Sequence, residues 1–121
     1  MQIAQKNFYK KLLGRAGEVE AQKYLKKKGY KILERNYKTL VGEVDIIAQD
    51  GEYVVFVEVK TRSGDEFGAP SEAVTRKKQQ KYFRVAEQFM LKEQYEALFC
   101  RFDVIEIENG KINHIIDAFC M

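Results

Sequence analysis

Val54-Val55-Phe56-Val57-Glu58-Val59-Lys60 is a run of β-branched and aromatic residues that ends on two opposite charges. Such a run reads as a strand buried on both faces. Strand side chains alternate, so Phe56, Glu58 and Lys60 share one face while Val55, Val57 and Val59 share the other. Withdrawing even a paired charge from water is costly. A Glu and a Lys two residues apart on such a strand therefore face a partner, a cleft or a metal.

Working outward, Asp50-Gly51 is a two-residue hairpin signal that ties this strand to an earlier one over Glu43–Ala48. Tyr30–Tyr37 reads as a strand before that, joined by a loop over 38–42. The chain opens with a helix from Asn7 to about Lys28, ended by Gly29. Downstream, the two glycines and sole proline of Arg62–Pro70 mark a loop. A second helix follows, from Ser71 or Thr75 to Tyr95, with Val74, Tyr82, Val85, Ala86 and Phe89 as its apolar stripe. Phe99–Ile107 is a fourth strand, Asn109-Gly110 a tight turn, and Ile112–Phe119 a short fifth strand. The third and fourth strands, joined through a helix, should be parallel neighbours. The expected architecture is α/β, a mixed β-sheet flanked by helices, in a single domain over residues 1–121.

If Asp50-Gly51 are the two loop residues, Gln49 opposes Glu52, Asp45 opposes Phe56 and Glu43 opposes Glu58. Glu43, Asp45, Glu58 and Lys60 then share one face, with Asp45 a diagonal neighbour of Glu58. Facing carboxylates about 5 Å apart repel by roughly 3 kcal/mol at an effective dielectric near 20. The cluster survives if one acid is protonated, if Lys60 compensates, or if a cation sits among them. Clustered carboxylates suit Mg²⁺ or Mn²⁺ rather than a soft metal. The competing reading is a salt-bridge ladder on a solvated face. Against it, Phe56, Val54 and Ile47 share that face, which should pack against a helix and leave the charges at the rim of a core. On the first helix, Glu18 lies between Gly14, Ala21 and Leu25, near Gly17, on a stripe that should meet the sheet. Glu18 is thus a fifth candidate acid, with the first helix as the roof of the pocket. Glu20 is nearer the border of the stripe.

Bulk properties exclude several classes. The chain has 121 residues, 45% hydrophobic and 32% charged, which fits a globular fold rather than disorder. No apolar run approaches the ~20 residues of a membrane span, and the N-terminus lacks the apolar segment of a secretion signal. A cytoplasmic location is expected. Cys100 and Cys120 have no metal-ligand spacing, and one histidine, His114, cannot supply chemistry that needs two imidazoles. His114 is expected on a strand surface. Net charge is only +3, but Lys26-Lys27-Lys28 and Arg76-Lys77-Lys78 with Lys81 and Arg84 are local basic runs. They are either solvated helix faces or nucleic-acid contacts.

Asp45 followed by Glu58-Val59-Lys60 on the next strand resembles the PD-(D/E)XK signature of restriction-endonuclease-like nucleases. More closely, five blocks in order resemble the small YraN-type family of predicted bacterial endonucleases. They are Gly14-Arg15-Ala16-Gly17-Glu18, Gly42-Glu43-Val44-Asp45-Ile46-Ile47-Ala48, Phe56-Val57-Glu58-Val59-Lys60-Thr61-Arg62, Phe67-Gly68-Ala69-Pro70 and Arg101-Phe102-Asp103-Val104. The resemblance spans almost the whole chain. The family is similar to archaeal Holliday-junction resolvases, and the chain departs from the superfamily motif in having Val44, not proline, before the aspartate.

The resemblance implies a restriction-endonuclease-like αβββαβ core and a metal-dependent nuclease acting on nucleic acid, with DNA as the expected substrate and branched, junction-like DNA as one candidate form of it. Asp45 and Glu58, helped by the Val59 carbonyl, would ligate Mg²⁺ or Mn²⁺. Glu18 would complete the metal's surroundings directly or through water, and Glu43 would stand behind the ligands. Lys60 would position or activate the attacking water. Arg62 is a candidate phosphate contact, and Lys78 and Gln79 are either phosphate contacts or part of a solvated helix face. Arg101 and Asp103 are expected to pair structurally. Resolvase-like action would need two active sites and so a homodimer. The alternative is a non-catalytic module that binds nucleic acid or docks a partner on the same scaffold.

Overall fold

The computed structural model describes residues 2–62, 74–95 and 97–121, and side chains from residue 11 onward. The elements run α1 (Gln2–Lys27), β1 (Lys31–Thr39), β2 (Gly42–Asp50), β3 (Tyr53–Arg62), α2 (Arg76–Lys92), β4 (Phe99–Glu108) and β5 (Lys111–Phe119). The five strands form one sheet in sequence order. β3 and β4 are parallel and the other neighbours antiparallel. This is the α/β mixed sheet flanked by helices that the hydrophobic periods predict. No helix among the described residues is long and apolar enough to cross a membrane. The Phe67-Gly68-Ala69-Pro70 block lies outside the described residues.

The helices sit on opposite faces. Ala21 and Leu25 of α1 pack on Ile46, Ala48, Val55, Val57 and Ile105. Tyr82, Val85 and Phe89 of α2 pack on the other face, over Val44, Ile47, Phe56 and Phe102. The Phe56–Glu58 face is therefore covered by α2, not roofed by α1 as the sequence suggested. Periodicity tells which side of a helix is apolar, but not which sheet face it takes. The α1 stripe is as expected: Gly17, Ala21 and Leu25 are buried and Glu20 is exposed. Gly17 lets the helix approach β3 closely, since a Cβ built there would collide with Thr61 Oγ1.

Helix ends follow local chemistry. Gly29 takes φ +93° after α1, and the Tyr30 amide reaches back to the Leu25 carbonyl at 2.9 Å. Thr75 caps α2 by accepting from the Lys78 amide at 3.2 Å.

The β2–β3 hairpin corrects the expected register. Asp50 pairs with Tyr53 and Gln49 with Val54, so the loop residues are Gly51 and Glu52. Gly51 alone has positive φ, +59°, which matches a type II′ turn with glycine first. At the β4–β5 turn both Asn109 and Gly110 have positive φ, as type I′ requires. The slip changes each pairing by two residues, so the paired residues Ile46–Asp50 keep their expected faces. The paired register ends at Ile46↔Val57, so Glu43 is not held opposite Glu58. The expected Glu43–Glu58 repulsion is not built into the hairpin.

His114 is a second correction. Its side chain is 5% exposed and sits 2.7 Å from Asp103. Asp103 accepts both Nε and Nη2 of Arg101 at 3.0 Å, and Arg101 also reaches Asp50 and the Tyr30 hydroxyl. The Arg101–Asp103 pair is structural, as expected, within a larger buried network.

Candidate active site

Asp45 lies where β2 and β3 part. The paired register of the hairpin ends at Ile46↔Val57. On β2, Val44 packs toward α2 and Ile46 toward α1, so the alternation slips by one residue at Asp45. On β1, Asn36 takes φ +49° between Arg35 and Tyr37, so the neighbouring strand twists at the same level. The Asp45 carboxylate turns into this gap and accepts the Val59 amide at 2.8 Å. A side-chain oxygen thus takes the place of a backbone partner.

Glu58 is 3% exposed, and both of its oxygens are engaged. Oε2 accepts the Tyr82 hydroxyl at 2.5 Å, and Oε1 accepts Lys78 Nζ at 2.7 Å. Lys60 Nζ is 3.8 Å from the same Oε1. The strand thus delivers Glu58 and Lys60 to one place, and α2 adds Lys78 and Tyr82.

Electrostatic repulsion couples the acids. Burial, then the charge of Glu58, pushes the Asp45 carboxyl up to about 7, against the opposing hydrogen bond from Val59. Burial also raises Glu18. An Asn36 hydrogen bond opposes that rise, while Glu43 and Glu58 add to it. Burial and the charges of Glu58 and Asp45 push the Tyr82 phenol far up, so it remains a donor. Among the described residues, no three acidic, histidine or cysteine side chains are gathered closely enough to hold a metal by themselves.

The other candidates fall as follows. Glu43 is exposed, beside Glu18 and Asn36 in one pocket and beside Lys77, Lys78 and Lys81 in another. Arg62 Nε meets Glu106 Oε2 at 2.6 Å, with both side chains 10% exposed. Gln79 donates to the Val74 carbonyl at 3.1 Å, a contact at the start of α2. Lys78 enters the site through a carboxylate. Sequence reasoning missed Tyr82 and Asn36. Tyr82 read as part of the apolar stripe, and its position four residues after Lys78 was the available signal, since such residues share a helix face. Asn36 offered only the tolerance of asparagine for positive φ.

The family model described as "Uncharacterised protein family UPF0102" matches residues 17–107. A UPF0102 protein of Caldicellulosiruptor saccharolyticus is 48% identical over 108 residues, covering 89% of this chain and 92% of that protein. One from Caldanaerobacter subterraneus is 46% identical over 121 residues, covering 94% and 99%. One from Thermodesulfovibrio yellowstonii is 50% identical over 109 residues, covering 88% and 95%.

Proposed function

The chain belongs to the UPF0102 family, and from that premise and the geometry of the site we propose that it is a divalent-cation-dependent nuclease of PD-(D/E)XK type. It hydrolyses phosphodiester bonds of nucleic acid, with DNA, including branched DNA, as the substrate class. The observation that carries this reading is the convergence of Asp45, Glu58 and Lys60 from two adjacent strands at the point where those strands part.

The donor set fits a hard cation. Asp45 and Glu58 are oxygen donors, and Glu58 already draws two ammonium groups. Mg²⁺ is commonly held by one or two carboxylates together with waters and phosphate oxygens, without an all-protein cage. A site with no three ligating side chains gathered together is compatible with that habit. Asp45, Glu58 and the Val59 carbonyl would hold Mg²⁺ or Mn²⁺, with Glu18 reaching it through water. When bound, the cation supplies Lewis acidity at the phosphoryl oxygen and a lowered pKa for water.

The chain's own residues set the stage. Val59 fixes the Asp45 carboxylate and Tyr82 fixes that of Glu58. Lys60, on a partly exposed stem beside Glu58, positions the attacking water and offsets charge on the phosphate. A four-way junction offers symmetric phosphates, so action on it calls for two copies of the chain.

The test is a cleavage panel of linear, flapped, four-way and single-stranded substrates with Mn²⁺, run beside Asp45→Ala and Lys60→Ala. Metal-dependent cleavage by the wild type, lost in both folded variants, supports the reading. Equal trace cleavage by all three proteins marks contamination and overturns it. A second reading, a non-catalytic nucleic-acid-binding module, draws on the occupation of both Glu58 oxygens by Lys78 and Tyr82. It expects salt-sensitive binding that Asp45→Ala leaves unchanged, with no cleavage of any substrate.

A further inference from the structure

Lys78 sits where local helix chemistry disfavours it. The first turn of α2 carries Arg76, Lys77 and Lys78 and no acid. A helix N-terminus bears about half a positive charge, so a cation there is disfavoured. The Thr75 cap already satisfies the Lys78 amide, so the helix start does not need the lysine side chain. What holds the ammonium is Glu58 Oε1, at 2.7 Å.

The two partners differ in freedom. The Glu58 side chain is 4% exposed and the Lys78 side chain 39%. A fixed carboxylate is thus paired with a cation on a flexible stem that opens toward solvent. Beside it lies a pocket of about 330 Å³, lined by Lys77, Lys78, Lys81, Thr75, Tyr82 and the single acid Glu43. Three ammonium groups against one carboxylate suit an anion. Lys78 makes the closer contact with Glu58 and borders the anion-suited pocket.

Resting on the hydrolase reading above, we propose that the Lys78 ammonium is a stand-in counter-ion. It occupies the place on Glu58 Oε1 that a divalent cation takes, and leaves it on cation binding for the lysine-lined pocket, where it meets a phosphate of the nucleic acid. Lys78 is then a positioning residue that keeps the buried acids paired before the site is loaded.

The test measures Mn²⁺ affinity, from the electron-paramagnetic signal of free Mn²⁺, for the full chain and for Lys78→Met, which keeps the stem and removes the charge. The variant should bind Mn²⁺ about tenfold tighter, a difference near 1.4 kcal/mol. It should also melt several degrees lower in chelator, with the deficit closing at saturating Mn²⁺. Equal or weaker Mn²⁺ binding by the variant overturns the stand-in role and leaves the hydrolase reading intact. Absence of Mn²⁺ binding by both proteins overturns both. A measurement on the wild type alone guards against a variant that fails to fold: amine labelling of Lys78, read by mass spectrometry, should accelerate when Mg²⁺ is added. An unchanged rate overturns the proposal.

Discussion

The Val59 amide donates to Asp45 Oδ2 at 2.8 Å, just beyond the last backbone pairing of β2 with β3. A carboxylate has replaced a carbonyl in the ladder. This one substitution opens the gap between the strands and anchors an acid inside it.

At pH 8, losing the acceptor and losing the buried charge act in opposite directions. Asp45→Ala strands the Val59 N–H in a partly buried gap, a loss of about 1–3 kcal/mol. Asp45→Asn retains a side-chain oxygen for the amide and discards the buried charge. Urea unfolding at pH 8 in chelator should rank Asn above Ala, and the reverse order would show that the Val59 contact contributes nothing.

The pH dependence follows from the same group. The folded-state value of Asp45, about 7, lies above its ordinary value of 3.8. Between those values the folded chain holds a proton that the unfolded chain has released, so raising the pH favours unfolding. The penalty is absent below about pH 4 and complete above about pH 7. Each pH unit is worth about 1.4 kcal/mol, which makes ionisation worth at most a few kcal/mol. In chelator, wild-type stability should therefore fall across this window, and Asp45→Asn should flatten the fall. Parallel profiles for the two proteins would refute the assignment to Asp45.

Gly17 sets how closely α1 approaches β3, because a Cβ there meets Thr61 Oγ1. That hydroxyl is buried and has no hydrogen-bond partner among the described residues. Gly17→Ala should destabilise by about 1–3 kcal/mol through overpacking. Adding Thr61→Ala removes the obstructing oxygen, so the double variant should recover most of the loss. Strictly additive effects in the double-mutant cycle would place the strain elsewhere.

The fold was legible because its signals are local. The Val54–Val59 run, the Gly29 stop and the Asn109-Gly110 turn each carry their own physics within a few residues. The site was legible in its parity. The hairpin slipped by two residues, which keeps Ile46–Asp50 on their expected faces, whereas the one-residue slip at Asp45 left no signal in the sequence. An Asp-Gly pair does not say whether glycine takes the first or second turn position, so the true register of the hairpin was hidden. Two further features depend on tertiary placement and left no pattern to read. One is the choice of sheet face by each helix, which puts Tyr82 and Lys78 over Glu58 and leaves Glu18 to approach from the other side. The other is the burial of His114, whose partner Asp103 lies on a neighbouring strand.

Tyr82 is buried and gives its hydroxyl to Glu58 Oε2 at 2.5 Å. Tyr82→Phe keeps the ring among its aromatic and aliphatic neighbours and removes only the donor. A hydrogen bond to a charged acceptor contributes about 1.5–3 kcal/mol, and Glu58 is buried. Thermal melts should show that loss in chelator. No change in melting temperature would mean that Lys78 and Lys60 alone satisfy Glu58.

Asp103 tests whether the second buried charge cluster is independent of the candidate site. Burial pushes its carboxyl up, but hydrogen bonds from His114, Arg101 and the Asp117 amide outweigh that and hold it below the usual value. A folded value below the unfolded one means stability that is present above about pH 4 and lost as pH falls through the folded value. Asp103→Asn removes the buried charge that faces Arg101, which is 9% exposed; Asp50 still pairs with Arg101 at 3.0 Å, so the loss should fall below the roughly 3–5 kcal/mol of a fully uncompensated buried charge. The variant should therefore be destabilised at pH 7 and should show a weaker decline toward pH 3 than the wild type. Its affinity for Mn²⁺ should be unchanged, because none of Arg101, Asp103, His114 and Asp117 contacts Asp45 or Glu58 through a described hydrogen bond or ion pair. A matching loss of Mn²⁺ affinity would instead join the two charge clusters into one system spanning both faces of the sheet.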